Sequence, residues 1–79
     1  MDEQFRQLIG QFLREYRQEM SFTIERLAEE IGISTNHLGR IERGESDTTL
    51  TTYIKMAVIL EIPSTFHDKI IQLYKNHQV

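Results

Sequence analysis

The sequence contains no cysteine, which excludes disulfide bridges and thiolate metal sites and leaves the redox compartment open. Its longest apolar run is Met56-Ala57-Val58-Ile59-Leu60, far short of the roughly 20 residues that cross a bilayer. No membrane contact is expected. The N-terminus is acidic and has no early apolar block, so no secretory leader is recognised and a cytoplasmic location is expected. No glycine-rich loop is available to cradle a phosphate, and nothing resembles HExxH. His37, His67 and His77 lack metal-ligand spacing. Ser34 and His37 lie close enough to share one side of a helix, but Ser34 is better used as a helix cap and no third residue orients the histidine. Glu29 and Glu30 are adjacent and so cannot share one helix face. Neither an enzyme nor a cofactor is expected.

What is present is a chain of 79 residues, 39% of them hydrophobic, the size and composition of one soluble globular domain over residues 1–79. A core this small makes only marginal stability. The net charge of −3 counts mildly against a nucleic-acid partner. The distribution counts the other way: Arg6, Arg14, Arg17, Arg26, Arg40 and Arg43 all lie in the first 43 residues, and the three lysines come later. DNA is met by a local patch, whatever the total charge. The alternative is that these arginines only decorate solvated helices.

Apolar periodicity divides the chain into helices. Phe5, Leu8, Ile9, Phe12, Leu13 and Tyr16 recur three and four apart, which predicts a helix over residues 2–19. Asp2 and Glu3 suit its positive end, and Gly10 is a mild cost inside it. Phe5, Leu8 and Phe12 offer more apolar surface than a minimal helical motif needs. They either cover the last helix or reach a partner chain. Met20-Ser21-Phe22 is a connection, with Phe22 a core plug. Residues 45–49 are polar and aperiodic, so they form a loop. A helix over 50–60 follows, capped by Thr49, with Leu50, Tyr53 or Ile54, Ala57 and Leu60 toward the core. Pro63 bars its continuation. Ser64 can cap a fifth helix over about 64–76, in which Phe66, Ile70, Leu73 and Tyr74 make an apolar stripe. The tail from Asn76 is expected to fray.

The stretch between Thr23 and Gly44 is the most informative. Thr23 suits an N-cap, and Leu27, Ala28 and Ile31 form an apolar face. Gly32 can take the left-handed conformation that closes a helix. Ile33 plugs the corner, Ser34 caps a second helix carrying Leu38 and Ile41, and Gly44 stops it. Helix, glycine-containing turn and helix is the pattern of a helix-turn-helix, here over about 23–43.

On these residues the chain resembles the phage-repressor family of the Cro/C1, or XRE, type. The match is carried by Arg17, Phe22-Thr23, Leu27-Ala28, Ile31-Gly32-Ile33-Ser34, Leu38 and Arg40-Ile41-Glu42-Arg43-Gly44. Ile9-Gly10, Leu13-Arg14, Leu50, Ala57 and Leu60 also fit. It extends over residues 9–63. The resemblance implies an all-α, five-helix, lambda-repressor-like domain. It also implies a glycine near Ser21 and a glutamine where this chain has Ile24, the clearest departure from the family pattern; Gly39, at a position that commonly touches bases, is a further one. The larger repressors of the family carry a further sensor or dimerisation domain, for which these residues are expected to leave no room.

The resemblance also assigns roles. The second helix of the motif enters the major groove with its N-terminal part toward the base edges. Base-touching positions match Thr35, Asn36, Gly39 and Arg40. Asn36 suits adenine and Arg40 suits guanine, while Gly39 only permits close approach. Candidate phosphate contacts are Arg14, Thr23, His37 and Arg43. Thr23 has two possible jobs, cap or phosphate neighbour. His37 either packs near the backbone or holds a phosphate, and Arg14 can instead pair in solvent. Arg26 either compensates for Ile24 or pairs with Glu29 or Glu30. Arg17 and Glu42 match a family pair that joins the first and third helices.

The function expected is a sequence-specific regulator of transcription on double-stranded DNA, a dimeric repressor or autoregulating controller. The operator is expected to be near-palindromic and the homodimer to form through Phe66, Ile70, Leu73 and Tyr74, unless that stripe closes the monomer's own core. The alternative is a protein-interaction adaptor that reuses the fold without binding DNA. Similar single-domain proteins serve phages, plasmids, restriction–modification and toxin–antitoxin systems, and the sequence does not choose among them. A contact with RNA polymerase is left open.

Overall fold

The first four helices begin where a short polar group can take up free backbone N–H donors; at the fifth, where Ser64 is the expected cap, the backbone carbonyls of Pro63 and Ser64 accept instead, from the N–H groups of Phe66 and His67. In the computed structural model, which describes residues 2–77, α1 spans Glu3–Glu19, α2 Ile24–Ile31, α3 Thr35–Glu42, α4 Leu50–Ile59 and α5 Thr65–His77. Asp2 Oδ1 accepts from the N–H of Gln4 at 2.7 Å and of Phe5 at 3.2 Å. The hydroxyl of Thr23 accepts from Arg26 N–H at 3.1 Å, that of Ser34 from His37 N–H at 3.0 Å, and that of Thr49 from Thr52 N–H at 3.1 Å. These are N-caps, each satisfying a donor that the helix leaves unpaired. The chain from Asp2 to His77 therefore forms an all-α fold, and the described residues contain no strand. The last helix runs through Asn76 and His77, where the tail is expected to fray; the rest of that tail lies outside the described residues.

The ends of α1 to α4 are also alike. Ser21 (φ 61°), Gly32 (φ 80°), Gly44 (φ 75°) and Glu61 (φ 53°) take the left-handed conformation. The next N–H in each case reaches back into the helix: Phe22 to Arg17 O at 3.1 Å, Ile33 to Ala28 O at 3.0 Å, Glu45 to Arg40 O at 2.8 Å, and Ile62 to Ala57 O at 2.9 Å. This is the Schellman closure. Phe22, Ile33 and Ile62 then tuck against the core. Ser21 and Glu61 make the turn without glycine and bear the side-chain crowding that glycine avoids.

The core gathers Leu13, Leu27, Ala28, Ile31, Leu38, Ile41, Tyr53, Met56, Leu60 and Phe66. All three apolar residues expected to face inward from α2 do so. α4 differs from expectation. Leu50 is 75% exposed, while Tyr53, Met56 and Leu60 are buried. Of the two alternatives at 53 and 54, Tyr53 is inside and Ile54 is 46% exposed. The physical reason is that α4 is apolar on nearly every side, with Lys55 its one charge. Periodicity then cannot choose a face.

Two glycines let the helices close on one another. A side chain at Gly10 would put its Cβ 2.4 Å from the carbonyl oxygen of Ile41 and 2.5 Å from that of Glu42. One at Gly44 would lie 2.5 Å from Cα of Gln7. Gly10 is thus a packing requirement where α1 crosses the end of α3, worth its cost in helix propensity. α5 closes over α1 through rings. Phe66 meets Phe12 and Tyr16 edge-on at 5.7 and 5.4 Å, and Tyr74 meets Phe5 at 5.0 Å. The extra apolar surface of α1 at Phe5 and Phe12 is covered by α5.

Candidate nucleic-acid interface

The inner face of α3 is anchored by Leu38 and Ile41, both buried, and by the Glu42 carboxylate. That carboxylate meets Arg17 of α1 through two bonds, Nε to Oε2 at 2.7 Å and Nη2 to Oε1 at 3.0 Å. The remaining side of the guanidinium donates to the carbonyl of Phe22 at 2.9 Å. The two side chains are only 11% and 6% exposed. The pair is bidentate and shielded. It joins α1, the turn at Phe22 and α3, and so sets how α3 sits on the core.

With one face held, the other is presented outward. Thr35, Asn36, Arg40 and Arg43 are exposed, and His37 is half-buried. Among the described residues Arg40 and Arg14 have no ion-pair partner. Arg14 is exposed on α1, and no hydrogen bond joins it to α3. Thr23 uses its hydroxyl as the α2 cap. The first N–H groups of α2 have no partner within the helix, as at any helix start. Arg26 lies over the Phe22 ring, 4.7 Å from its centroid, and pairs with Glu30 at 3.6 Å. Of the alternatives for Arg26, the observed one is the surface pair.

Ile24 and Gly39 meet. The Ile24 Cδ1 lies 3.6 Å from where a Cβ on Gly39 would be, and the nearest nitrogen of Arg43, Nη1, is 3.0 Å from the same point. The apolar side chain at 24 is half-buried against the core and the bare backbone of α3. Arg43 folds back over the preceding turn, so that its guanidinium and Ile24 both lie against Gly39, which is buried. Its guanidinium is taken by Glu45, Nε to Oε2 at 2.7 Å and Nη2 to Oε1 at 3.4 Å. The hydrogen bond from Arg43 holds the Glu45 carboxyl below its usual range, and the same bond, with the charge of Glu45, raises Arg43. Arg40 adds to the field on Glu45.

Glu45 is the partner of Arg43 that sequence reasoning did not assign. It lies two positions from Arg43 across a left-handed glycine, a spacing that no helical pairing rule covers. The only signal was an acidic residue directly after the stop glycine of an arginine-bearing helix. On α5 the expected interface residues divide. Phe66 is 2% exposed and internal, Ile70 and Leu73 are half-buried, and Tyr74 is 42% exposed. No group of acidic or histidine side chains among the described residues has a metal-binding arrangement.

A helix pair joined by a glycine turn, the second helix pinned inside and polar outside, defines a helix-turn-helix protein. Comparison with known families agrees: the helix-turn-helix family profile matches residues 13–66, and the chain belongs to that family, in its XRE or Cro/C1 branch. Over 55 residues it is 46% identical to the HTH-type transcriptional regulator SutR of Escherichia coli (strain K12). The aligned stretch takes in 68% of this chain and 31% of that protein, so the chain spans about a third of the curated relative it matches. No helix among the described residues is long and apolar enough to cross a membrane.

Proposed function

We propose that this chain is a DNA-binding regulator of transcription, in the cytoplasm, that reads a near-palindromic operator as a homodimer and represses or autoregulates. The observation that carries the reading is the outward face of α3. Thr35, Asn36 and Arg40 are exposed on a helix whose opposite side is fixed by Leu38, Ile41 and the Arg17–Glu42 pair. Rigidly held, polar and arginine-bearing, such a face suits the major groove. Arg40 reads a guanine and Asn36 an adenine, with Thr35 beside them. Arg14, His37, Arg43 and the start of α2 at Thr23 meet phosphates. That the E. coli relative is an HTH-type transcriptional regulator supports the regulatory part of this reading.

The dimer supplies the second recognition helix, about 34 Å from the first on a two-fold operator. Leu73 and Tyr74 of α5 form its surface, with Phe66 and Ile70 supporting them from within. Selection of bound duplex from a random library, followed by titration of the selected site against salt, tests the whole reading. Enrichment of an inverted repeat and a steep fall of affinity with salt are expected. Failure to retain any duplex favours the adaptor reading. Sedimentation equilibrium tests the dimer. A dimer indifferent to charged substitutions at Leu73 and Tyr74 moves the interface to another apolar face, such as the outward row Leu50, Ile54 and Val58.

A further inference from the structure

We infer that Glu45 is a built-in competitor for the DNA phosphate at Arg43, and that it sets the strength of the sequence-independent part of binding. The inference rests on the DNA-binding reading above. The Glu45 carboxylate accepts from Nε and Nη2 of Arg43, the same donors and the same forked geometry that a phosphate takes. While that bond lasts, the charge of Arg43 is cancelled at its contact edge.

The pair is built to open. Its side chains are 56% and 53% exposed, against 11% and 6% for Arg17–Glu42. No other side chain hydrogen-bonds to the Glu45 carboxylate among the described residues. Gly44 in the left-handed conformation and the bond from Glu45 N–H to Arg40 O at 2.8 Å hold the backbone of residue 45 at the C-terminal end of α3. A carboxylate is disfavoured at that end by the helix dipole. The contact with Arg43 offsets that cost. A phosphate reaching Arg43 has to displace or share with an anion already in place.

The test uses the full chain and a labelled duplex of random sequence, titrated at several salt concentrations with wild type, Glu45→Gln, Arg43→Ala and the double variant. Glu45→Gln is expected to tighten binding roughly two- to fivefold at low salt and to steepen the salt slope by about one. The gain should be absent when Arg43 is already alanine. The selected operator should gain by the same factor as random duplex, since the phosphate contribution is common to both. Coincident melting curves establish that each variant is folded. Unchanged or weaker binding by Glu45→Gln overturns the inference, as does an equal gain with and without Arg43, which would reflect net charge alone. In either case wild-type binding leaves the DNA reading intact. If wild type and every variant bind no duplex, both fall together.

Discussion

Glu42 and Arg43 are neighbours in the chain and each is half of an arginine–glutamate pair, yet the pairs sit in opposite surroundings. Glu42 points into the molecule and meets Arg17 of α1, with both side chains nearly closed to water. Arg43 points out and meets Glu45, two residues on, with both side chains about half exposed. The bond lengths are the same, 2.7 Å from Nε to Oε2 in each. Distance therefore says little about what a pair does. Shielding and sequence separation say more. The inner pair joins segments 25 residues apart and sets geometry. The outer one joins near neighbours, holds no distant element, and leaves its arginine open to exchange with another anion.

The largest effect should come from breaking the inner pair. Glu42→Ala leaves Arg17 uncompensated in a shielded site and is expected to cost about 3–5 kcal/mol, enough to unfold much of so small a domain. Urea denaturation measures it. Equal stability of wild type and variant would contradict the anchoring role. Gly10→Ala tests the same crossing from its backbone side. Helix propensity alone would make it favourable, but the added Cβ meets two carbonyl groups of α3. A loss of about 2–3 kcal/mol is expected.

Arg40→Ala moves the comparison to the outer face. It should leave stability alone and lower discrimination by roughly 1–3 kcal/mol at one base pair, read from binding to singly substituted operators. An unchanged specificity profile would remove Arg40 from base reading. Ser21→Gly should act only on the fold, raising stability by about 1 kcal/mol through relief of its left-handed strain, with the DNA titration unmoved. Smallest of all, Arg43→Ala and Glu45→Ala should leave the melting temperature where it is. A marked fall for either would make the outer pair structural and erase the contrast with Arg17–Glu42.

Much of this molecule could be read from short stretches of sequence. Thr23, Ser34 and Thr49 cap α2, α3 and α4 at the places where a hydroxyl precedes an apolar periodic run. Gly32 closes α2 in the left-handed conformation. Leu27, Ala28 and Ile31 are inside, because a strongly amphipathic helix can bury only one face. Caps, turns and amphipathic stripes involve partners within about five residues, so the information needed is contiguous. The candidate interface was legible to the same extent. Once the apolar side of α3 is known, Thr35, Asn36 and Arg40 must be on the other.

The remaining features depend on segments far apart in the chain. α4 has apolar residues all round, and its docking on α2 turned Tyr53 and Met56 inward and left Leu50 and Val58 in water. Gly10 reads as a defect in a helix until α3 crosses it with its carbonyls. Phe66 could have been surface or core, and the rings of Phe12 and Tyr16 made it core. Arg43 folds over Gly39 and meets Glu45 because the left-handed turn at Gly44 brings the chain back beside α3. Local chemistry chose where helices begin and end. Packing between distant helices chose which faces close, because burial is a property of what lies opposite a side chain.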